Sequence, residues 1–289
     1  HPAYLSSQYG LELSKKSQYN LYKIQHHVAH FASVLGEHHL FDTEHAILGV
    51  IWDGTGYGDD GQIWGGEFFR YRSKQIKRLT HFQYFDWLAG DKMALEPRLS
   101  LLALANPSMD ALMADKYTEG VLGVYNKIKQ KNTLKTSSVG RLFDAVASML
   151  GICDQNTYEG ESAILLENCI SEYTLEECKS YISPDETGGI PTYDLIDKLH
   201  ADLQKGVAKE ELILNFLYTL ATLILQIADQ NKIEHIACSG GVFQNTVLVD
   251  ILKEIGAEKY KLYFNCTLSP NDENISFGQL MYYVNCIDN

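Results

Sequence analysis

Two histidines four residues apart are the first candidates for chemistry in this sequence. The segment QHHVAH places His26 and His30 on one face of a predicted helix, where two imidazoles converge at a distance that a transition metal can bridge. Two ligands do not complete a site, and the usual third and fourth are carboxylates from turns at strand ends. Asp53, which follows an apolar strand, and Asp272, in a Pro-Asn-Asp turn, lie where such carboxylates are needed. The alternative is a hydrated, histidine-rich helix face, because three more histidines follow between residues 38 and 45.

Asp53 also opens a glycine-rich segment, DGTGYGDDGQIWGGE. An Asp-Gly pair is common in simple turns, and a plain hairpin is therefore the competing interpretation. The density of glycine from Gly54 to Gly66 is nevertheless higher than one turn requires. Because glycine lets a backbone approach an anion closely, the segment is a candidate for anion binding.

A second candidate for nucleotide binding lies in KIEHIACSGGVFQNTVLVDILKEIG, which predicts a strand, a glycine turn and a helix in succession. This arrangement points the free amides of a helix N-terminus at phosphate or ribose oxygens. Arg141 and Asp144 lie three residues apart on another predicted helix. They either form a surface pair or bind a phosphate and a ribose hydroxyl, and neither pattern is specific by itself.

Alternating strands and helices must position these residues. HAILGVIW and QIWGGEFFRYRS predict the strands of a hairpin, and KLYFN predicts a later strand. Helices are predicted from Leu99 to Lys131, at the end of the chain, and over SSVGRLFDAVASMLGI with Ser137 or Ser138 as N-cap. ELILNFLYTLATLILQIADQ is apolar almost all round but too polar at its ends for a membrane span, which predicts a buried helix. The alternation indicates the α/β class.

The composition excludes several classes of protein. The 289 residues are 45% hydrophobic and 21% charged, which is typical of a globular chain and not of a disordered one. The formal net charge of −13, with no run of Lys or Arg to offset it locally, makes nucleic acid a poor partner. The sequence has no signal segment and no apolar run of the roughly 18 residues that a span needs, so we expect no membrane association and a cytoplasmic location. The six cysteines form no CxxC pair, and we expect reduced thiols.

Eight segments, taken together and in order, resemble the carboxy-terminal carbamoyl-transfer domain of the HypF family of hydrogenase-maturation carbamoyltransferases. The match spans essentially the whole chain, and the ordered set is specific although each segment alone is not. The same domain is similar to the O-carbamoyltransferase TobZ and to the TsaD-type subunit that modifies tRNA. The segments are HPAYLSSQYG, QHHVAH, WDGTGYGDDGQIWGGEF, EPR, SSVGRLFDAVASMLG, YEGESA, SGGVFQN and SPNDENISFGQ.

The resemblance implies an α/β fold of the actin/hexokinase-like (ASKHA) type, with two lobes of ribonuclease-H-like sheets and a nucleotide in the cleft between them. It places the first lobe at residues 1–88 and a nucleotide-binding second lobe at residues 89–289, with the last helix, 271–289, packing back to the first lobe. Because His1 and Pro2 fall inside a family motif, the first lobe is expected to lack its opening strands.

The resemblance also implies a set of site residues. One divalent transition metal, iron, zinc or manganese, is expected at the catalytic centre, bound by His26, His30, Asp53 and Asp272. The remaining residues are expected to bind carbamoyl adenylate, a product of ATP, in two groups. Those at the phosphate and carbamoyl end are Asp53, Gly54, Thr55, Gly56, Gly65, Gly66 and Glu67, and those at the adenosine end are Gly140, Arg141, Asp144, Gly160, Gly240, Gly241 and Asn245.

The function that the resemblance implies is transfer of a carbamoyl group from carbamoyl adenylate to the C-terminal cysteine of a HypE-type partner, in the synthesis of the cyanide ligands of nickel-iron hydrogenase. In the family, acylphosphatase-like, zinc-finger and YrdC-like domains of the same polypeptide precede this domain and supply the adenylate. The chain begins with His1 rather than Met, so these domains are expected upstream. The alternative activity is O-carbamoylation of a small hydroxylated substrate, as in TobZ.

The chain also departs from the family pattern in three places. The loop at 271–274 reads NDEN where NDGG is usual, and Glu273 adds negative charge beside the expected phosphate, whereas Asn274 is able to adopt the left-handed conformation of a glycine. Residues 216–218 read FLY instead of Phe-His-Asn, and residues 161–162 read ES instead of Gln-Ala. The altered loop motivates a third hypothesis, a nucleotide-binding docking module with weakened catalysis.

Overall fold

The structure is a computed structural model that describes residues 4–288. His1 and Pro2, on which the expectation of missing opening strands depends, lie outside the described residues, as do Ala3 and Asn289. The strands are β1 (Ile47–Tyr57), β2 (Ile63–Arg72), β3 (Gln75–His81), β4 (Phe85–Asp86), β5 (Lys135–Thr136), β6 (His235–Ser239) and β7 (Lys261–Phe264).

Twelve α-helices accompany these strands in the described part of the chain. They are α1 (Leu5–Ser17), α2 (His26–Glu37), α3 (Lys92–Leu95), α4 (Pro97–Leu104), α5 (Asp110–Lys116), α6 (Glu119–Lys131), α7 (Val139–Met149), α8 (Glu161–Asn168), α9 (Thr192–Gln204), α10 (Lys209–Asn231), α11 (Thr246–Gly256) and α12 (Ile275–Tyr282). Short 3-10 turns lie at Pro107–Met109, Gly241–Gln244 and Asp272–Asn274, and a π turn follows α12 at Tyr283–Ile287.

All seven strands join one sheet, in the order β4-β5-β2-β1-β6-β7 with β3 paired to β2. The first three strands form an antiparallel meander, whereas β6 runs parallel to β1 and β7 runs parallel to β6. The partial order β3-β2-β1-β6-β7 is that of a ribonuclease-H-like sheet. The α/β class predicted from the sequence is therefore confirmed.

Helices cover both faces of the sheet. On one face, Leu48 and Val50 of β1 join the large core that includes residues of α4, α7, α10 and α11. On the other face, Ile47 and Ile51 pack in a second core with Phe31 of α2. Because β1 is central and covered on both sides, it is buried continuously from Ile47 to Asp53. Its C-terminal end is thereby held rigidly against α2.

The individual elements agree well with the sequence predictions. The hairpin is formed by β1 and β2, both histidines lie on α2, and the strand, glycine turn and helix appear as β6, the Gly241–Gln244 turn and α11. Helix α7 begins after Ser138, whose Oγ accepts a hydrogen bond from the Arg141 N–H at 3.2 Å. The helical region predicted from residue 99 to 131 is divided into α4, α5 and α6.

Helix α10 meets the length and composition of a membrane-spanning segment, and it is the one helix of residues 4–288 that does so. However, 67% of its most apolar 18-residue window is buried inside the protein. Its apolar side chains, among them Phe216, Leu220 and Ile224, belong to the large core. The sequence prediction of a buried helix is confirmed.

The lobe boundary at residue 88 stays a prediction, and the sheet continues across it. Strand β1 lies before the boundary and β6 after it, yet Ile47 to Ile51 pair directly with His235 to Ser239. The strands on both sides therefore belong to one folded unit. The last helix does contact the range assigned to the first lobe, since α12 packs on α2.

The acidic balance of the chain has a local exception that the sequence analysis missed. The hairpin of β2 and β3 exposes Arg70, Arg72, Lys74 and Lys77, and Arg70 lies directly across from Lys77. None of these four side chains forms an ion pair in the described part of the chain. The statement that nothing offsets the negative charge locally is wrong at this hairpin.

The packing of α12 on α2 generates a testable prediction. A Cβ added to Gly278 would lie 1.9 Å from the Ala29 carbonyl oxygen, so the two helix backbones touch there. We expect Gly278→Ala to lower the free energy of unfolding by roughly 1–3 kcal/mol, because the helices must separate. Urea denaturation measures this change.

Gly123→Ala is the matched control, because Gly123 is exposed on α6 and a Cβ there meets nothing within 4 Å. This substitution is expected to stabilise the protein by up to about 1 kcal/mol through helix propensity alone. Equal unfolding free energies for Gly278→Ala and the unmodified protein would contradict the packing described here.

Candidate metal centre and nucleotide site

The four predicted metal ligands lie together at the C-terminal end of β1. One ligand atom from each of His26, His30, Asp53 and Asp272 lies within 4.8 Å of every other. The Nε2 atom of His26 is 3.2 Å from Asp53 Oδ2 and 3.4 Å from Asp272 Oδ1. The Nε2 atom of His30 is 3.7 Å and 3.3 Å from the same two oxygens.

Three different features of the chain bring these ligands together. The two imidazoles are one helical turn apart on α2, and Asp53 lies where the pairing of β1 with β2 is interrupted between Trp52 and Gly56. Such a bulge re-aims a strand side chain, and here it directs Asp53 towards α2. Asp272 is supplied by the turn that precedes α12. The close packing of α12 on α2 therefore sets the position of the fourth ligand.

The electrostatics of the cluster follow from its two carboxylates. Burial lowers the pKa of the His26 imidazole, but hydrogen bonds with Asp272 and Asp53 outweigh this effect and raise it to about 9. Hydrogen bonds with His26 and His30 hold the pKa of Asp272 below its usual range. Burial would raise the pKa of Asp53, yet the same histidines keep it well below the ordinary value. The cluster thus attracts positive charge.

The residues fit a bound divalent metal. A tetrahedral ion with bonds of about 2.1 Å has ligand-to-ligand distances of about 3.4 Å. The four distances between imidazole nitrogen and carboxylate oxygen range from 3.2 to 3.7 Å, and all ligand atoms lie within 4.8 Å of one another. The His30 ring is completely buried, and its Nε2 faces Asp272 Oδ1 at 3.3 Å and Asp53 Oδ2 at 3.7 Å. A buried imidazole nitrogen that faces two carboxylate oxygens completes a set of nitrogen and oxygen ligands suited to a divalent ion. Two imidazoles and two carboxylates suit iron, zinc or manganese.

The glycine-rich segment lies directly on His26 and its neighbour His27. A Cβ on Gly56 would come within 2.7 Å of His26 Cδ2 and 2.5 Å of His27 Cε1. Gln25 caps α2 by accepting the Val28 N–H at 2.9 Å, and its Nε2 donates to the Tyr57 carbonyl at 3.0 Å. The segment is thereby joined to the N-terminus of α2.

The start of α7 approaches the same segment from the opposite side. Gly140 lies so close to Gly54 that a Cβ on Gly140 would be 2.8 Å from the Gly54 Cα. Ser138 Oγ lies 2.9 Å from the Asp53 carbonyl oxygen and 2.7 Å from that of Gly54, to which it donates its proton. Arg141 follows within the first turn of α7, and the structure thus brings four predicted residues together here: Asp53, Gly54, Gly140 and Arg141.

Arg141 and Asp144 form a buried pair instead of a surface pair. The Nε atom of Arg141 is 2.8 Å from Asp144 Oδ2, and the two residues are 7% and 2% exposed. Burial raises the pKa of Asp144, although Arg141 opposes this effect. Asn156 donates to Asp144 Oδ1 at 3.2 Å, whereas Arg141 Nη1 is buried and forms no hydrogen bond within residues 4–288. A buried donor without a partner points to a ligand that is absent here.

The turn after β6 also lies beside Asp53. Gly240 has a φ of 102° and its Cβ would lie 2.1 Å from the Trp52 carbonyl oxygen, so only glycine fits. Gly241 lies beside Asp53, with Oδ1 at 3.3 Å from its Cβ position. Asn245 Oδ1 accepts the Leu248 N–H at 2.8 Å and caps α11, while its buried Nδ2 has no partner among the described residues.

Some predicted residues have other surroundings. Glu67 is completely buried and forms an ion pair with Arg78, and it accepts a hydrogen bond from Ser137 Oγ. Gly65 and Gly66 let this strand pass close to Asp53 and Ser137. These contacts give the three residues an internal packing role, and their assignment to the phosphate path stays a prediction.

Thr55 and Gly160 also stay predictions. Thr55 lies on β1 between two residues that contact α7 and α2, Gly54 and Gly56. Gly160 is the N-cap of α8 with a φ of 78°, and a Cβ there would meet nothing within 4 Å. Its connection to the site is indirect, through Ser162 Oγ, which donates to Asn156 at 2.8 Å.

The altered loop at Asp272 behaves differently from the sequence expectation. Asn274 does not adopt the left-handed conformation, since its φ is −85° and its ψ is −9°. It is instead completely buried, and its Nδ2 donates to the Ser269 carbonyl at 2.9 Å and to Ser239 Oγ at 3.2 Å. Asn274 thus ties the Asp272 turn to the end of β6. Glu273 is exposed and points its charge into solvent-accessible space.

Three residues of this neighbourhood were missed in the sequence analysis. Gln25 joins α2 to the glycine-rich segment, Asn156 orients Asp144, and Ser138 bonds two carbonyls of that segment in addition to its predicted capping role. The position of Gln25 directly before QHHVAH is a signal, but glutamine is an uncommon N-cap. Asn156 carries no local signal, because its partner lies 12 residues away on another element.

The ribonuclease-H-like strand order and the buried site at the end of β1 define an α/β protein of the actin/hexokinase-like class. Two family models match the chain: "HypF Kae1-like domain" over residues 1–37, and "Carbamoyltransferase, Kae1-like Domain, second subdomain" over residues 49–279. The chain belongs to the HypF family and carries its Kae1-like domain. The first of these models ends at residue 37, and the second begins at residue 49.

Individual relatives support this membership. The chain is 33% identical to carbamoyltransferase HypF of Synechocystis over 97% of its length, and 32% identical to a probable carbamoyltransferase HypF of Methanocaldococcus jannaschii over 98%. It spans 39% and 38% of those two proteins, which therefore contain further domains.

Solved structures give the same result for the fold. A full-length HypF crystal structure in the phosphate- and nucleotide-bound form is similar over 99% of this chain and 38% of that chain, with 30% identity and a TM-score of 0.82. HypF of T. kodakarensis is similar in fold over 98% of this chain and 39% of that chain, with 24% identity and a TM-score of 0.80.

The metal centre generates a second prediction. Asp272→Asn removes a charge from a side chain that is 72% exposed, so we expect the fold to persist. His30→Ala removes a buried ligand. We expect either substitution to raise the dissociation constant for Zn²⁺ at least about 100-fold. Even mutation of residues that only support the ligands lowers metal affinity about 10–100-fold in such sites. Calorimetry and elemental analysis of anaerobically purified protein measure this loss.

His45→Ala is the control, because His45 is exposed and stacks on His235 with ring centroids 5.0 Å apart, away from the cluster. Its metal content is expected to equal that of the unmodified protein. Stoichiometric metal in both His30→Ala and Asp272→Asn would refute the proposed ligand set.

Proposed function

We propose that this domain transfers a carbamoyl group from carbamoyl adenylate to the C-terminal cysteine of a HypE-type acceptor protein, as one step towards the cyanide ligands of nickel-iron hydrogenase. The observation that carries the proposal is that the metal-ligand cluster lies close to a buried arginine donor without a partner. The metal-ligand cluster and the unpaired donor of Arg141 lie on either side of the Asp53–Gly54 segment. The names of the curated relatives, carbamoyltransferase HypF, support the activity.

His26, His30, Asp53 and Asp272 would hold a divalent metal, which would supply Lewis-acid chemistry for a carbonyl oxygen. The protein residues hold the other end of the substrate. Arg141 has a free donor for a phosphate oxygen, and Asn245 has a free amide donor for the nucleoside. Gly241, beside Asp53, lets the phosphate approach the backbone closely.

The nucleophile in this reaction arrives with the partner. The acceptor thiolate forms a bond to the carbonyl carbon while the bond from that carbon to the phosphate oxygen breaks, so that AMP leaves and the cysteine carries the carbamoyl group. Carbamoyl adenylate is a mixed anhydride and is already activated. The domain therefore needs electrostatic stabilisation and no nucleophile of its own. Cys238 is unsuited to that role, since burial raises the pKa of its thiol well above the ordinary value.

The proposal also covers the source of carbamoyl adenylate and the cellular location of the protein. The relatives are more than twice as long as the matched region, and we propose that acylphosphatase-like, zinc-finger and YrdC-like domains supply the adenylate. All six cysteines are free thiols, which suits a reducing cytoplasm.

A transfer assay tests the activity. Carbamoyl adenylate is generated in situ from carbamoyl phosphate and ATP by the adenylate-forming domains of a HypF relative, and the mass of HypE is followed after this chain is added. We expect one carbamoyl group per HypE, and a loss of at least about 100-fold with His30→Ala but not with His45→Ala.

The same assay separates the alternatives. Transfer to hydroxyl groups of an aminosugar panel, with none to HypE, would support O-carbamoylation instead. Nucleotide binding without transfer to any acceptor would support a docking module, for which the exposed charge of Glu273 is the motivation.

The nucleotide site generates a separate prediction at Asn245. Asn245→Asp keeps the oxygen that caps α11 but replaces the free Nδ2 donor with an acceptor of negative charge. Carboxylates are good caps, so stability should not fall. We expect the dissociation constant for a non-hydrolysable carbamoyl-adenylate analogue to rise about 10–100-fold, the value of one hydrogen bond to a charged or polar ligand.

Asn168→Asp controls for the added charge, because Asn168 is exposed at the end of α8, next to Glu167, which accepts the Thr246 N–H of α11. Calorimetry is expected to give unchanged affinity for this variant. Equal affinities of Asn245→Asp and Asn168→Asp would remove Asn245 from the nucleotide site.

A further inference from the structure

We propose that Asp60 is a positioning residue of the metal centre: it fastens the glycine-rich loop, so that Gly56 holds the His26 ring in place. By this loop we mean residues 54–61, which comprise the end of β1 and the turn that follows it. This inference rests on the proposed metal site. Asp60 lies at the tip of the loop, seven residues after the ligand Asp53, and nothing in the sequence distinguishes it from its neighbour Asp59. The contacts of the two residues are nevertheless entirely different.

The carboxylate of Asp60 accepts four hydrogen bonds, two on each oxygen. Oδ1 accepts the Trp64 indole N–H at 2.9 Å and the Gln62 backbone N–H at 3.1 Å. Oδ2 accepts the Tyr84 hydroxyl at 2.6 Å and Arg78 Nη1 at 3.2 Å. These bonds lower the pKa of Asp60, although partial burial alone would raise it. The carboxylate is therefore ionised and saturated with donors.

The donors of Asp60 are themselves held rigidly. Arg78 forms an ion pair with the buried Glu67 and donates to the Tyr84 hydroxyl at 2.9 Å. Its guanidinium lies 3.9 Å from the centre of the Trp64 ring. Because these groups stand on β2, β3 and the segment after β3, Asp60 joins the loop tip to the rigid sheet. We call this group of four residues, Asp60, Trp64, Arg78 and Tyr84, the Asp60 latch.

The latch reaches the metal centre by two routes. The Trp64 ring contacts the His27 ring, with centroids 5.7 Å apart, and His27 is the neighbour of the ligand His26. Gly58 of the loop lies against the Trp64 indole, since a Cβ there would be 2.0 Å from its Nε1. Two residues earlier, Gly56 contacts the rings of both His26 and His27. A displaced loop would therefore free the His26 ring.

Asp59 provides the matched comparison. It is exposed, and no hydrogen bond or ion pair is found for its side chain within residues 4–288. Asp59→Ala and Asp60→Ala remove the same side chain and the same charge from adjacent positions of one loop. Asp60→Asn is the conservative variant, because it keeps an oxygen for the Trp64 and Gln62 donors and loses the charge opposite Arg78.

Two measurements on the full chain test the proposal. Hydrogen exchange is expected to rise at least tenfold at the amides of residues 55–58 in Asp60→Ala, and to stay unchanged in Asp59→Ala. Titration with Co²⁺, followed by its visible absorption, is expected to give a dissociation constant about 10-fold or more above that of the unmodified protein in Asp60→Ala, with an altered spectrum. Asp60→Asn should recover part of both effects.

Each result decides the proposal. Equal exchange at residues 55–58 in the two alanine variants would overturn it, whether or not metal binds. Exchange that rises evenly over residues 4–288 in Asp60→Ala would also overturn it, because the role of Asp60 would then be general stability. If the unmodified protein bound no Co²⁺, the proposed metal site would fail, and the exchange data would still decide whether Asp60 holds the loop.

Discussion

The meeting of two carboxylates with two buried imidazoles is the interaction on which the rest of this structure depends. Asp53 and Asp272 are brought within 3.7 Å of rings that are almost inaccessible to water. Burying charged groups costs several kcal/mol each unless opposite charge and hydrogen bonds offset the loss of hydration. The two carboxylates stabilise a positive charge between them, which is carried either by protons on the imidazoles or by a metal ion. The surrounding elements are arranged to keep the four groups from separating.

The fold keeps the four ligands together by bringing backbone segments into close contact. Helix α12 touches α2 at Gly278, which places the Asp272 turn over the histidine pair. On the other side, Ser138 and Gly140 at the start of α7 contact the carbonyls and Cα atoms of the Asp53–Gly54 segment. The sheet provides the fixed reference, because β1 is buried on both faces up to Asp53. Side chains at the site therefore have little freedom to rearrange.

Much of the site could be predicted from the sequence, and the reasons for success and failure are physical. The spacing of His26 and His30 is a local property of a helix, and Asp53 follows an apolar strand, so both were recognisable. The protein contacts of several glycines were not, because they depend on distant segments: Gly56 lies against the His26 and His27 rings, and Gly140 lies against Gly54. Local patterns do not report which distant segment approaches a backbone.

The long-range pairing of strands escaped prediction for the same reason. A boundary at residue 88 looks natural along the chain, since a helical region begins there, yet β1 and β6 are hydrogen-bonded neighbours. Likewise the ion pair of Glu67 could not be predicted, since its partner Arg78 lies 11 residues later on the adjacent strand. Registers between strands decide such contacts, and a single sequence specifies the elements far better than their registers.

The exposure of the four ligands has a consequence for the proposed reaction. His26, His30 and Asp53 have side chains that are 8%, 0% and 11% exposed, whereas Asp272 is 72% exposed. An acceptor thiolate can therefore approach the cluster from the side of the Asp272 turn, since α2 and the end of β1 close the opposite side. An anionic nucleophile would there meet the negative charge of Glu273, which is exposed on the same turn. In the proposed reaction, a protein acceptor would offset this repulsion with contacts of its own.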